Sequence, residues 1–176
     1  MVGSTFISGE TVTLRTVEED DIGFLQQSRN EPGFRRTLRF TKPTNRKQMR
    51  SFFENTVVGD DASVNLLVSV EGTPVGAVNV FNIDQRCGEI SYWILPEHRQ
   101  NGTATEAISL LLDFAYDTLD LHRVYAQTIA SNEASKAFLE ALGFTLEGTL
   151  REHEFVQGER QDTHFYGLLA PEWRNQ

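Results

Sequence analysis

The stretch from Gly88 to Ile129 constrains the fold of this chain more than any other. An apolar run, "GEISYWIL", leads through Pro96 into a small, polar junction, "HRQNGTATEA". A helical pattern, "AISLLLDFAYDTL", follows, with Ala104, Ala107, Ile108, Leu111 and Ala115 at helical spacing. "HRVYAQTI" then reads as a strand. Strand, helix and strand in that order call for a right-handed crossover, which lays the two strands parallel in one sheet.

The flanking segments extend that sheet. "ETVTLRTV" alternates apolar and polar residues, with Val12 and Leu14 on one face of a strand. Thr16 and Glu19 have capping-box spacing and open a helix through "DDIGFLQQSRN". Residues 31–43 read as a polar, arginine-rich loop, after which Thr44 caps a helix burying Met49, Phe52, Phe53 and Val57. "VNLLVSV", "EGTP" and "VGAVNVFNI" read as strand, turn and strand, and "GEISYWIL" completes the meander. Toward the C-terminus, "NEASKAFLEALGF" is a short helix capped by Asn132 and ended by Gly143. "TLEGTLREHEFV", "QGER" and "DTHFYGLLA" form a long hairpin. The expected fold is α/β (α+β): a mixed, mostly antiparallel sheet of about seven strands with helices on both faces. At 176 residues, without repeats or a linker, the chain reads as one domain, 1–176.

Charge narrows the function. The net charge of −9 argues against a broad nucleic-acid or membrane-binding face. The only lysines are Lys42, Lys47 and Lys136, a pattern that fits either a high-salt cytoplasm or an ordinary acidic bacterial protein. No apolar run approaches the roughly 20 residues of a membrane span. The N-terminus lacks the basic and apolar regions of a signal peptide, so a cytoplasmic location is expected. Cys87 is the only cysteine, which rules out an internal disulfide, and its place in the turn "DQRCG" marks it as incidental. His98, His122, His153 and His164 have no metal-ligand spacing, so no metal is expected.

The junction before the long helix is the strongest local signal. A helix N-terminus carries unpaired N–H groups and about half a positive charge, and a small-residue turn lets an anion come close. The lysine of a P-loop is absent, as are the three glycines of a dinucleotide fingerprint. From spacing alone, a phosphate site and a purely structural turn are both open. "NGT" at Asn101 matches a glycosylation sequon, a reading rejected for want of a secretion signal.

Arg99-x-x-Gly102-x-Ala104 resembles the Arg/Gln-x-x-Gly-x-Gly/Ala motif of the GCN5-related N-acetyltransferases. "WILPEHRQNGTATEA", "ASNEASKAFLEALGFTLEGTLRE", "DTHFYGLLAPEW" and "TVTLRTVEEDD" resemble segments of the branch that acetylates ribosomal-protein N-termini. The resemblance covers nearly the whole chain. It implies that acetyl-coenzyme A is the cosubstrate, with its pyrophosphate on the motif's backbone amides. The implied coenzyme residues are Ile94, Leu95, Arg99, Gln100, Asn101, Gly102, Thr103, Ala104 and Asn132. The family usually has glycine where this chain has Gln100; because backbone N–H groups bind, reduced affinity at most is expected.

The implied reaction is acetyl transfer to a neutral primary amine. An α-amine with a pKa near 8 is about a quarter neutral near pH 7.5, against about a thousandth for lysine. An N-terminal acceptor therefore makes weak demands on a base, and a water-linked carboxylate suffices. Glu89 is the favoured carboxylate, with a solvated strand-end glutamate as the alternative; Glu152 and Glu154 are weaker candidates on a wet face. The resemblance makes Ser135 the candidate general acid for the leaving thiolate and Asn132 a partner of the pantetheine arm. Each also fits an ordinary helix start. Tyr92, Trp93, Tyr116, Tyr125 and Tyr166 read mostly as packing, with Tyr166 a weak candidate for the amine pocket. The acceptor expected is a protein N-terminal α-amine. A small amine, such as a polyamine, amino acid or antibiotic, is the alternative, and a non-catalytic acyl-coenzyme A sensor is the reading from a different class. Neither nucleic acid nor membrane is expected as a partner, and a homodimer is left open.

Overall fold

The computed structural model describes residues 3–38 and 40–176, so Arg39, within the predicted loop, and Met1 and Val2, at the start of the segment read for a signal peptide, lie outside it. The strands are β1 (Thr5–Ser8), β2 (Thr13–Thr16), β3 (Val64–Val70), β4 (Thr73–Asp84), β5 (Cys87–Ile94), β6 (Arg123–Ile129), β7 (Thr145–Val156) and β8 (Glu159–Leu169). They form one sheet in the order β1-β2-β3-β4-β5-β6-β8-β7. The β5–β6 pair is parallel, as the crossover requires, and every other pair is antiparallel. The helices are α1 (Ile22–Asn30), α2 (Pro32–Thr37), α3 (Arg46–Phe52), α4 (Thr103–Asp117), α5 (Glu133–Ala141) and α6 (Ala170–Arg174). No described helix is long and apolar enough to cross a membrane.

Alternation along β5 places helices on both faces of the sheet. Ile90 and Ile94 join the core formed with Ala107, Ile108, Leu111 and Ala115 of α4. Tyr92, on the same face, packs on Phe138 of α5 with ring centroids 4.9 Å apart. Trp93 points the other way, 5.5 Å from Phe24 of α1 and 5.1 Å from Phe34 of α2.

Several local expectations need correcting. The sheet has eight strands rather than about seven: β1, four residues long and mostly exposed, carries no readable alternation and is specified by pairing with β2. The predicted loop contains α2. Pro32 sits in its first turn, the Glu31 carboxylate accepts the Phe34 N–H at 2.8 Å, and Phe34 is buried. Thr16 does not cap α1; its hydroxyl donates to Glu18, whose own N–H donates to Asp21. Asp21 also receives a bidentate pair from Arg15 at 2.8 and 2.7 Å, joining β2 to the start of α1. Thr16 ends β2, and its hydroxyl is engaged there, accepting the Ser4 N–H at 2.9 Å. Asn45, not Thr44, caps α3 in a box with Gln48, while Thr44 bonds to Asn30 through its backbone. In this segment Met49 is buried, whereas Phe52, Phe53 and Val57 are partly buried, because α3 widens into a π-helical turn, Phe53–Val58.

Candidate active site

The site begins where two strands part. β5 and β6 pair only at Cys87–Arg123, Gly88–Val124 and Glu89–Tyr125. Beyond Glu89, β5 follows β4 to Ile94, while β6 stays paired with β8 through Ile129. The wedge between them opens into a cavity of about 930 Å³ lined by residues 89–94 of β5, residues 126–129 of β6 and the first turns of α4 and α5.

One end of the cavity is a left-handed turn. Gln100 and Gly102 have φ of +61° and +88° and flank Asn101. Such alternation turns successive N–H groups toward one side, an anion-binding arrangement at a helix start. A Cβ added at Gly102 would meet nothing within 4 Å, so the turn is open where a ligand would approach. The positive φ at Gln100 gives a physical reason for glycine at this position in the resembling family.

Six residues predicted for the coenzyme line the cavity: Ile94, Arg99, Gln100, Gly102, Ala104 and Asn132. Leu95, Asn101 and Thr103 do not. The Leu95 N–H donates to the Val75 carbonyl. Asn101 Oδ1 accepts from both the N–H and the hydroxyl of Thr103, at 3.2 and 2.7 Å, so this pair shapes the turn. Thr105, absent from the prediction, lines the cavity one residue beyond the motif. Arg99 is held by a 2.8 Å bond from Nε to the Ile94 carbonyl and lies over the Phe34 ring.

Asn132 Oδ1 accepts the Ser135 N–H at 3.2 Å, the capping role available to it at the start of α5. Ser135 Oγ lies 3.2 Å from the Tyr92 hydroxyl. Burial pushes the Tyr92 phenol up to about 12, against an opposing pull from that hydrogen bond, so Tyr92 stays protonated near neutral pH. Tyr92 packs on Phe138, as its sequence reading expects, and its hydroxyl also meets Ser135, a register opposite α5 that no spacing signals.

Glu89 is 6% exposed, which removes the solvated strand-end reading. Its Oε2 accepts from Asn82 Nδ2 at 3.2 Å. Asn82 arrives there because the β4–β5 register shifts between Phe81 and Asp84, and its φ of +53° is one that asparagine tolerates. Tyr125, paired with Glu89 across the parallel strands, has its phenol pushed up by burial and by the Glu89 charge. Along this face Asn79 donates to Ser91 at 3.0 Å. Arg29, Phe40, Met49, Phe52 and Asp60 complete the far wall.

Glu152 and Glu154 lie on β7, away from the cavity lining, where the Glu152 N–H donates to Asp162. Tyr166 is buried and donates to Glu140 at 3.0 Å, so it does not border the cavity. Cys87 is partly buried at the start of β5 and outside the lining. Among the described residues, no group of three or more His, Cys, Asp or Glu could hold a metal ion.

Residues 11–145 match the family described as Acetyltransferase (GNAT) domain. The Bacillus subtilis protein named "Putative ribosomal N-acetyltransferase YdaF" is 36% identical over 108 residues, 60% of this chain. The chain spans only 59% of that relative's length. The structure of a Vibrio cholerae spermidine N-acetyltransferase in complex with CoA and spermine superposes with a TM-score of 0.88 at 26% identity. It covers 95% of this chain and 100% of its own. The fold is also that of RimL, a ribosomal L7/L12 α-N-protein acetyltransferase in complex with coenzyme A, at a TM-score of 0.86 and 19% identity over 94% of this chain and 98% of that one. The chain belongs to the GNAT family of acetyl-CoA-dependent N-acetyltransferases.

Proposed function

We propose that the chain transfers the acetyl group of acetyl-CoA to the α-amine at the amino terminus of a polypeptide. The turn at residues 99–105 offers the pyrophosphate a set of converging N–H groups. The wedge between β5 and β6 admits the pantetheine arm. The neutral amine attacks the thioester carbon, a C–N bond forms and the C–S bond breaks. The amine's proton passes to Glu89, directly or through water, and the Ser135 hydroxyl relays a proton to the departing thiolate, regaining its own from solvent water. Tyr92 orients the Ser135 hydroxyl.

The observation that carries the acceptor assignment is the charge of the cavity wall. Among the described lining residues, the carboxylates Asp60 and Glu89 are matched by the guanidinium groups of Arg29 and Arg99. A polyamine brings several positive charges and gains little from a balanced wall, whereas an α-amine brings one and loses it on reacting. A single buried carboxylate beside the wedge is enough base for an amine of pKa near 8.

Comparing kcat/KM for an N-terminal Ala or Ser peptide, an N-blocked lysine peptide and spermidine, at one pH and salt, tests the assignment. The free peptide should win. The pKa gap alone gives it roughly 250-fold more neutral amine than lysine. A better rate with spermidine would move the assignment to small amines, the class named for the Vibrio relative.

A further inference from the structure

The acceptor side of the cavity holds a cation that the acetyl-transfer chemistry does not use. Arg29, near the end of α1, lies with Cζ 4.6 Å from the Phe40 ring centroid and 4.2 Å from that of Phe52. All three residues line the cavity. Among the described residues, no carboxylate pairs with Arg29 and no acceptor takes its N–H groups, whereas Arg15, Arg50, Arg86, Arg123 and Arg174 all have acidic partners. Burial pulls its pKa below the ordinary arginine value, yet a guanidinium remains charged at any physiological pH.

That combination has a chemical meaning. Aromatic rings engage the faces of a guanidinium and leave its five donors in the plane. A partly desolvated cation with open donors is an unfavourable arrangement until an anion arrives. The other charged groups of the wall are engaged: Asp60 with the Ala62 N–H at 3.0 Å, Glu89 with Asn82, and Arg99 with the Ile94 carbonyl. The coenzyme's phosphates belong at the turn before α4. The α1 side of the wall, beyond Trp93, is the side of Glu89, so an anion reaching Arg29 comes with the acceptor.

We propose that Arg29 recognises a carboxylate on the acceptor, which makes the substrate a polypeptide with an acidic side chain among its first few residues. This deepens the peptide reading above and rests on it. A planar fork facing a carboxylate favours two parallel charge-assisted bonds, which select a carboxylate over its amide isostere.

The test uses acetyl-CoA and pairs of short Ser-initiated peptides that differ only by Glu or Gln at the second, third or fourth position. In the wild type, Glu should raise kcat/KM over Gln by about tenfold or more at one position. The readout is the Glu/Gln ratio within each enzyme. Arg29→Gln should bring it near one, and Arg29→Lys, which keeps the charge without the fork, should fall between. Equal rates for Glu and Gln at every position, or an unchanged ratio in Arg29→Gln or Arg29→Lys, overturn the role of Arg29 while the peptide reading stands. If no peptide is acetylated and spermidine is, the peptide reading fails and this inference falls with it.

Discussion

On one side of β5, the cavity wall comes mainly from neighbours in sequence. Arg99, Gln100, Gly102, Ala104 and Thr105 form one turn, held by Asn101 on Thr103 and by Arg99 on Ile94. On the other side, the wall joins Arg29 of α1, Phe40, Phe52 of α3, Asp60, Asn82 and Glu89, which share no motif. The first half presents backbone N–H groups, and its geometry is local. The second presents side chains, and its geometry depends on how α1, α2 and α3 pack over Trp93. Under the proposed function the two halves divide the labour: a coenzyme half fixed by a turn and an acceptor half whose chemistry changes with single side chains.

Substitutions separate the halves. The largest effect should come from Gly102→Glu, which places bulk and a like charge at the turn. Calorimetry should show acetyl-CoA affinity falling at least about 100-fold in a folded variant. Gly102→Ala should lose far less, since its added Cβ meets nothing within 4 Å and only the positive φ of +88° opposes it. Unchanged affinity in Gly102→Glu would dissolve the assignment of this half. Next is Glu89→Gln, expected to lower kcat/KM about 100-fold with peptide acceptors. Acetyl-CoA affinity should be untouched. A loss under threefold would leave Glu89 only as the anchor of the Asn82 bulge.

Ser135 and Tyr92 lie where the halves meet. Ser135→Ala should lower kcat about tenfold and KM little, because a thiolate of pKa around 8.5 can also leave unprotonated. A kcat within a factor of two of wild type would leave α5 capped by Asn132 and Ser135 without a chemical role. Tyr92 also ties the site to stability. A free tyrosine ionises near 10, whereas burial holds the Tyr92 proton to about 12. Its contribution to stability is therefore fully present below pH 10 and is lost as pH rises through 12. Urea midpoints should fall across that window, and Tyr92→Phe should fall less steeply; equal slopes would locate the sensitivity elsewhere, with the buried Tyr116, also pushed up, as the next candidate. The smallest effect is expected from Gln100→Gly. Relief of its positive φ of +61° should raise stability by at most about 1 kcal/mol, without weakening acetyl-CoA, because the N–H remains. A destabilised Gln100→Gly would mean the glutamine side chain supports the turn.

Short-range chemistry made much of this protein legible in its sequence. The parallel β5–β6 pair, the start of α4 at Gly102 and the Asn132 cap of α5 all follow from periodicity, one small-residue turn and a hydrogen bond three residues long. The structure departs from the sequence pattern where a candidate cap is engaged elsewhere or where pairing is long-range. Thr16 has capping spacing, but it ends β2 and its hydroxyl takes the Ser4 N–H and donates to Glu18 instead. β1 has almost no pattern of its own and is specified by β2. In the sequence, Glu89 is a candidate from its place on the strand before "ISYWIL", and Ser135 through resemblance. Only the tertiary structure buried Glu89 under Asn82, brought the Tyr92 hydroxyl to Ser135, and set Arg29 between Phe40 and Phe52 at the cavity. Those juxtapositions join residues from 7 to 43 positions apart, and no periodicity along a chain encodes which distant side chains meet when strands part and helices close over them.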